Sequence, residues 1–468
     1  MARLFGTDGV RGKAGQHPLD PPTIRRLGAA LARAMSPGTG GARFLSGRDT
    51  RESGPWIERE LAAGIRSQGG ALVSAGVIPT PAVAYLTPRL GYTAGVVISA
   101  SHNPFEDNGI KVFSGTGAKF TEALEDQVES IMADTSWDTS DNGPAEAGHY
   151  DRTNAFAYVV SGFSRTVEQI DYRSEYIEHL LHVLEPNERH TGVRIAVDCA
   201  NGATATVAPR LFERLGFDVR CVGCEPDGRN INLGCGSTAP ELLTRTVLND
   251  GYRLGIAYDG DGDRAIFVDA HGRIVDGDAV MLMCAKQMKI EGRLKGDAVV
   301  ATVMSNIGLE IALRNAGIET IRCPVGDKYV MEEMIQRNLS LGGEQSGHVI
   351  FSDFLFTGDG LATSLNVLRT MATTGRELGD LASDLTKYPQ VLLNLRVDRK
   401  VDLKTVPSVA AVLASVESRL AGAGRLLVRY SGTEPLLRVM LEGQDEAQIR
   451  RWGQEILDAV RQYVGTSE

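Results

Sequence analysis

An acidic segment carries the clearest chemical signal in the sequence: it reads Asp259-Gly260-Asp261-Gly262-Asp263-Arg264. The intervening glycines let the backbone curl, so that three carboxylates can converge on one hard cation. An EF-hand is excluded, because Arg264 and Ala270 stand where that loop requires glycine and a bidentate glutamate. A solvated acidic turn is disfavoured, because carboxylates so close repel one another unless a cation neutralises them. Three protein oxygens leave coordination positions open, which suits Mg²⁺ shared with a phosphate.

A candidate nucleophile lies in the segment Ser99-Ala100-Ser101-His102-Asn103-Pro104, directly after the apolar run 95–98. The run predicts a buried strand, and strand ends are where α/β proteins place reactive groups. A hydroxyl there can act as a nucleophile or carry a phosphoryl group. The alternative is that the serines and Asn103 only build a turn. Lys111 follows ten residues after Ser101 and adds a weaker signal.

A second polar segment reads Arg429-Tyr430-Ser431-Gly432-Thr433-Glu434-Pro435 and lies between two predicted strands. It offers a guanidinium, two hydroxyls and exposed amides in one turn, which a phosphate dianion needs. Arg438 could add a second guanidinium. The alternative is a hairpin turn with an incidental arginine.

Two further segments give a weaker indication of function when each is considered alone. In Gly343–His348, Glu344 and Ser346 would face one side if the segment is extended, which suits recognition of sugar hydroxyls or an amine. A polar strand entry is the alternative there. The glycine-punctuated segment 5–12 contains Arg11.

Composition limits the classes of function. The 468 residues are too many for one core, and 43% hydrophobic with 23% charged residues is ordinary for a globular protein. The net charge of −10 argues against a nucleic-acid binder, so an anionic substrate needs a local arginine cluster. The longest apolar run, 279–285, is too short to span a bilayer. With six cysteines typical of a reducing compartment and no signal peptide, we expect a cytoplasmic protein.

Strand-like runs, among them 194–198 and 254–258, alternate with helical patterns such as 207–215, which predicts α/β domains with mostly parallel sheets. The segment 445–464 is predicted to close the chain as an amphipathic helix. We expect four domains: an α/β domain at 1–155 with the serine loop, another at 156–255 ending at the acidic loop, and a third at 256–375 with the Glu344 loop. The fourth, 376–468, is predicted to be a smaller α+β domain. The polar stretch 134–149 is expected to be an insertion away from the site.

Taken together, these segments closely resemble the α-D-phosphohexomutase superfamily over essentially the whole chain, in the superfamily's order. The resemblance implies four domains around a central cleft, with Ser101 as the phosphoserine. It implies a metal site, one Mg²⁺ per chain, formed by the groups Ser101, Asp259, Asp261 and Asp263. The sugar-binding loop then holds Glu344, Ser346 and His348. The phosphate-binding loop holds Arg429, Ser431, Gly432 and Thr433, with Arg438 nearby.

Within the superfamily, the amino-acid sequences of segments 5–12 and 343–348 resemble those of the branch that converts glucosamine 6-phosphate to glucosamine 1-phosphate. That step feeds UDP-N-acetylglucosamine and, in bacteria, the cell wall. Phospho-Ser101 would donate its phosphoryl group, Arg11 and Arg264 would stabilise that group in transfer, and Lys111 or His348 would move the proton.

Two alternatives stay open: a mutase acting on mannose or glucose phosphates, and a non-catalytic sugar-phosphate-binding regulator. The expected partner is a small phosphosugar, with neither nucleic acid nor membrane. The resemblance also suggests a homodimer. An activating kinase is one source for the first phosphate on Ser101.

Overall fold

The computed structural model describes residues 3–6, 8–36, 41–134, 136–137, 167–184, 192–420, 422–431 and 435–464. In chain order, the strands are β1 (Val10–Lys13), β2 (Arg43–Arg48), β3 (Ala71–Val77), β4 (Ala94–Ile98), β5 (Asp107–Ser114), β6 (Glu168–Gln169), β7 (Arg194–Asp198), β8 (Asp218–Val222), β9 (Leu254–Tyr258), β10 (Ala265–Asp269), β11 (Ile274–Val275), β12 (Ala298–Thr302), β13 (Glu319–Cys323), β14 (Leu341–Gly343), β15 (Val349–Phe351), β16 (Gln390–Arg396), β17 (Arg425–Tyr430) and β18 (Leu436–Glu442).

The helices are α1 (Pro21–Ala34), α2 (Gly54–Ser67), α3 (Thr80–Arg89), α4 (Glu122–Ala133), α5 (Arg173–Leu181), α6 (Ala208–Arg214), α7 (Glu241–Asp250), α8 (Gly277–Ile290), α9 (Ile307–Asn315), α10 (Asp327–Arg337), α11 (Gly360–Thr374), α12 (Leu378–Ala382), α13 (Pro407–Leu420) and α14 (Glu446–Val464). Side chains fix several of their starts: Asp276 accepts from the first turn of α8 and Asp359 from that of α11. No helix in the described ranges is long and apolar enough to cross a membrane.

The strands form four sheets, with orders β1-β5-β4-β2-β3-β6, β11-β10-β9-β7-β8, β13-β12-β14-β15 and β16-β18-β17. The first three share a local pattern. Strands β4, β9 and β14 each run parallel to an inner neighbour, and each is followed by an antiparallel strand, β5, β10 or β15. The loops that join these hairpins, 99–106, 259–264 and 344–348, therefore occupy the same place in three sheets.

Parallel pairings outnumber antiparallel ones in the first and third sheets, as expected, and equal them in the second. Each α/β sheet is mixed, because its parallel part ends in an antiparallel hairpin. The expected boundary at 255 falls inside β9, and the second sheet continues to Val275, so the junction lies after that residue. The expected boundary near 155 and most of the 134–149 segment lie outside the described residues.

One hydrophobic core joins the first three sheets. It contains Phe113 from the first, Phe267 from the second and Leu365 of α11 beside the third. Leu378 and Leu385 also belong to it, so the third domain extends past the expected boundary at 375. The fourth sheet has its own core with α13 and α14, which includes Leu437 and other residues, among them Val391, Val416 and Ile456. The first three domains thus pack as one body and the fourth as another.

The fourth domain docks on the third through a buried carboxylate. Glu442 at the end of β18 accepts hydrogen bonds from Asn306 Nδ2 (3.3 Å) and Ile307 N–H (3.2 Å), at the start of α9. Arg425 pairs with the same carboxylate at 2.8 Å. A helix N-terminus and a guanidinium both favour a negative charge, so this contact joins the two bodies at one point.

Candidate active site

Ser101 lies just after β4, is only 2% exposed, and has a φ of 52°. Its hydroxyl donates a hydrogen bond to Asp259 Oδ2, in the loop after β9. The Ser101 N–H donates to Ser99 Oγ at 2.9 Å, and the Ser101 hydroxyl lies 3.3 Å from His102 Nδ1. The serine loop of the first sheet therefore contacts the acidic loop of the second.

The three aspartates of the acidic loop converge. Their oxygens lie within 4.8 Å of one another, and all three residues are buried. In the described part of the chain, Oδ1 of Asp261 and Oδ1 of Asp263 are buried without a hydrogen-bond partner. Burial, and then the neighbouring carboxylates of Asp263 and Asp261, raise the pKa of Asp259 well above its usual value. Buried oxygens without partners and mutual repulsion both fit a hard divalent cation with oxygen ligands.

In a second group, one side-chain atom each from Asp263, Asp327 and His348 also lies within 4.8 Å of the other two. Protein groups already compensate it: Lys119 pairs with Asp327, and the Gly358 N–H donates to His348 Nε2 at 3.0 Å. The first group also has a cation beside it, Lys111, but it brings three carboxylates together and, among the described residues, keeps two buried oxygens without hydrogen-bond partners. It is therefore the better candidate for a metal.

Lys111, on β5, is a buried cation of the site. Its Nζ lies 2.9 Å from Asp261 Oδ2, 3.0 Å from Asp8 Oδ2 and 3.4 Å from Asp263 Oδ2. Burial lowers its pKa, but these carboxylates outweigh burial and hold it well above the ordinary lysine value. Lys111 therefore remains an ammonium at neutral pH. Thr80 completes the surroundings, because its hydroxyl donates to Asp261 Oδ2 at 2.7 Å.

His348 is also fully enclosed. Because its Nε2 accepts the Gly358 N–H, the neutral ring carries its proton on Nδ1, which lies 3.6 Å from Asp263 Oδ2. Burial lowers the pKa of His348, while Asp263 and Asp327 raise it, and the net direction is upward. An imidazole oriented by a carboxylate in this way has increased basicity.

Two arginines flank the aspartates. Arg11 pairs with Asp8, and Arg264 lies 3.8 Å from Asp263 Oδ1. Burial lowers the pKa of Arg264, but Asp263 and Asp259 outweigh this and raise it. Within the described ranges, Nε of each arginine is buried without a hydrogen-bond partner. Guanidinium groups with free donors suit an anionic ligand.

The Glu344 loop differs from the expected extended segment. It is a tight turn between β14 and β15, in which Gly347 has a φ of 92° and its N–H donates to Glu344 O at 3.0 Å. The turn still brings Ser346 Oγ within 3.4 Å of Glu344 Oε2, so a carboxylate and a hydroxyl lie side by side. The Gly326 N–H donates to Glu344 Oε1 at 3.2 Å and orients it.

The predicted phosphate-binding residues that the structure describes lie on the fourth domain. They are separate from the residues that contact Ser101. Arg429 on β17 is paired directly across from Arg438 on β18, and Arg429 borders a cavity of about 420 Å³. Ser431 is 7% exposed. Gly432 and Thr433 lie outside the described residues.

Sequence reasoning missed several groups of this site. Asp8 binds Lys111, Lys119 and Arg11 together. Its position inside the same glycine-punctuated segment as Arg11 was an available signal. Lys119 and Asp327 have no motif around them, because they come together only through the packing of the first domain on α10.

Models of one family match most of the chain in four consecutive parts. They are described as phosphoglucomutase/phosphomannomutase alpha/beta/alpha domains I, II and III and C-terminal domain, and they match residues 2–139, 174–272, 276–388 and 392–459. The expected four-domain α/β architecture and the resemblance to the phosphohexomutase superfamily are thus confirmed.

A curated relative from Solibacter usitatus, named phosphoglucosamine mutase, is 46% identical over 99% of both chains. The solved structure of a phosphoglucomutase/phosphomannomutase family protein from Burkholderia thailandensis has a TM-score of 0.77 at 24% identity, over 99% of this chain and 98% of that one. The Aspergillus fumigatus N-acetylphosphoglucosamine mutase in complex with GlcNAc-6P and magnesium has a TM-score of 0.60 at 17% identity, over 98% and 96%. These two structures support the fold.

Proposed function

Because the chain belongs to the phosphoglucomutase/phosphomannomutase family, we propose that it interconverts glucosamine 6-phosphate and glucosamine 1-phosphate. The observation that carries this proposal is the contact of the Ser101 hydroxyl with Asp259 of the acidic loop. The 46% identical relative named phosphoglucosamine mutase supports the choice of an amino sugar.

The reaction begins with a phosphoryl group on Ser101. The C1 hydroxyl of glucosamine 6-phosphate attacks this phosphorus, its proton leaves to a base, and the bond from phosphorus to Ser101 Oγ breaks. The product is glucosamine 1,6-bisphosphate and a free serine. After the bisphosphate turns over in the cleft, Ser101 takes the C6 phosphoryl group and glucosamine 1-phosphate is released. Without its phosphate the protein has nothing to donate, so unphosphorylated Ser101 is inactive.

Asp259, Asp261 and Asp263 would hold Mg²⁺, together with an oxygen of phospho-Ser101. When bound, the ion supplies positive charge against the charge that develops on the transferred group. The two buried Oδ1 atoms without partners support this assignment.

The protein's own cations act on the same charge. Lys111 places its ammonium group beside Asp261, and Arg11 and Arg264 present free donors to the phosphoryl oxygens. Lys111 and His348 both remain candidates to move the sugar proton, since both lie beside Asp263, and the Gly358 N–H occupies His348 Nε2 in this structure.

Sugar recognition falls to Glu344 and Ser346, whose adjacent carboxylate and hydroxyl suit an amine and ring hydroxyls. Arg429, Ser431, Gly432, Thr433 and Arg438 would hold the phosphate that does not react. Because this group lies on the separately packed fourth domain, binding the distal phosphate would also close the cleft.

Intact-mass measurement of the purified protein, with peptide mapping, tests the phosphoserine. We expect one phosphate on Ser101, and turnover of glucosamine 6-phosphate that exceeds turnover of mannose and glucose phosphates. A preference for mannose or glucose phosphates would establish the first alternative. Phosphosugar binding without any turnover of the phosphorylated protein would establish the regulator.

The remaining expectations stay predictions from the family resemblance. They are a homodimer, a kinase that first phosphorylates Ser101, a cytoplasmic location and a place before UDP-N-acetylglucosamine synthesis.

A further inference from the structure

Two backbone carbonyls of the serine loop share a pair of donors that come from different domains. Arg51 Nη2, from the first domain, donates to Ser101 O at 3.2 Å and to Asn103 O at 2.6 Å. Asn232 Nδ2, from the second domain, donates to the same oxygens at 2.9 and 3.1 Å. Arg51 is 1% exposed, so its charge acts in a desolvated setting.

We propose that Asn232 is a positioning residue for phosphoryl transfer, because it holds Ser101 in the backbone conformation that directs the hydroxyl to the acidic loop. The inference rests on the proposed function, in which Ser101 carries the phosphoryl group. It adds a requirement that the second domain supplies a donor to the nucleophile's own carbonyl.

The conformation of Ser101 explains why such a donor is needed. Its φ of 52° lies in the left-handed region, which is strained for a residue with a side chain. The N–H of Ser101 is fixed by Ser99 Oγ, and its carbonyl is fixed by Arg51 and Asn232. With both flanking peptide groups fixed, the hydroxyl moves only by rotation about χ1. Loss of one carbonyl donor lets the backbone relax to negative φ and withdraws the hydroxyl from Asp259.

The acidic loop depends on the same carbonyl position. A Cβ added to Gly260 would lie 2.5 Å from Ser101 O and 3.0 Å from Asn232 Nδ2. The backbone of the acidic loop therefore packs directly on the Asn232–Ser101 contact. A shift of Ser101 O changes the distance between the phosphoryl carrier and the carboxylates that act on it.

Asn232 is the cleaner of the two donors to remove. Arg51 also pairs with buried Asp49, so its loss leaves an unpaired buried charge and threatens the fold. Asn232 has a φ of 57°, which glycine adopts without strain, so Asn232→Gly deletes the amide and keeps the backbone. Asn232→Asp keeps the shape but replaces the donor with a carboxylate that repels both carbonyls.

Asn230→Ala is the matched control. Its side chain bonds Glu225 O and the Asp227 N–H within the same loop, and the serine-loop carbonyls are held by Asn232 instead. Rapid-quench transfer of labelled phosphate from the full-length phosphoenzyme to glucosamine 6-phosphate would be measured, with KM and the melting temperature.

We expect Asn232→Gly to slow transfer by roughly 10- to 100-fold, as for about 1 Å of misplacement, and Asn232→Asp to slow it further. The KM and melting temperature should stay near wild type in Asn232→Gly, and Asn230→Ala should transfer normally. Wild-type transfer rates in Asn232→Gly, or equal slowing in Asn230→Ala, would overturn the positioning role. If wild-type Ser101 instead carries no phosphate, the proposed function itself fails.

Discussion

The hydroxyl of Ser101 and the carboxylate of Asp259 belong to equivalent hairpin loops of two different sheets, and they meet in one hydrogen bond. The candidate carrier of the phosphoryl group is thus positioned against the candidate metal ligand by the packing of two domains.

Replacing Ser101 by alanine should abolish mutase turnover, by at least roughly 10³-fold as for loss of a covalent nucleophile. The fold should persist, because the alanine deletes only one hydroxyl. Turnover and circular dichroism would be measured beside Ser99→Ala, which loses the contact to Ser101 N–H but keeps the carrier. If Ser101→Ala were active and Ser99→Ala inactive, the phosphoserine would have to be assigned to Ser99 instead of Ser101.

Replacing Asp261 by asparagine should weaken Mg²⁺ binding more than sugar binding, because an amide keeps the shape but loses the charge. Loss of charge stabilisation worth several kcal/mol would lower the rate by about 10²-fold. Mn²⁺ binding, followed by electron paramagnetic resonance, gives a readout independent of activity. Asp327→Asn is the control, since Asp327 belongs to the second acidic group and pairs with Lys119. Equal Mn²⁺ affinity in wild type and Asp261→Asn would refute the acidic loop as the metal site.

Replacing Arg429 by lysine keeps the charge and loses the bidentate fork. The loss of one charge-assisted hydrogen bond, about 1.5 kcal/mol, should raise KM roughly tenfold and let the bisphosphate escape before it reorients. Activity should then depend more on added glucosamine 1,6-bisphosphate, while Ser101 still accepts phosphate. Arg450→Lys on the exposed face of α14 serves as control. Unchanged KM and no added need for bisphosphate would show that the loop is only a turn.

Asp278, at the start of α8, should make stability depend on pH. Burial, and then Asp276, raise the pKa of Asp278 to about 7. A carboxyl whose pKa is raised on folding stabilises the protein at acid pH, and that contribution is lost as pH rises through 7. Each unit of pKa shift corresponds to about 1.4 kcal/mol.

Asp278→Asn removes this titration, so the variant should gain melting temperature over wild type at pH 8 and lose that advantage near pH 5. Scanning calorimetry across this range measures the difference, with exposed Asp250→Asn as the control. A constant offset between wild type and Asp278→Asn at every pH would exclude Asp278 as the titrating group.

The individual elements were largely predictable from the sequence, because short apolar runs bounded by glycine and polar residues favour one local structure. The strands predicted at 194–198 and 254–258 agree with β7 and β9. The helix predicted at 207–215 is α6, one residue shorter at each end. The closing amphipathic helix is α14. The order and direction of strands in each sheet were harder to predict, because a strand of an antiparallel hairpin and a parallel strand have similar apolar patterns.

For the candidate site, residues inside glycine-rich motifs were identified, whereas their partners were not. Asn232 and Arg51 donate hydrogen bonds to backbone carbonyls of another segment. Because every residue has a backbone carbonyl, such contacts cannot be predicted from the pattern of side chains. Lys119 meets Asp327 across 208 positions of sequence, at a contact that exists only after the domains pack. Local spacing carries no information about such pairs.

The repeated hairpin has an evolutionary consequence. The candidate phosphoryl carrier, the acidic loop and the candidate sugar-binding loop each occupy a connection whose flanking strands are fixed by their own sheet. A mutation in one connection leaves the register of the other two intact. With the proposed roles, the turn around Glu344 can therefore change toward a new sugar while Ser101 and Asp259 keep the chemistry constant, so one architecture can diversify into a set of enzymes that differ mainly in the sugar they accept.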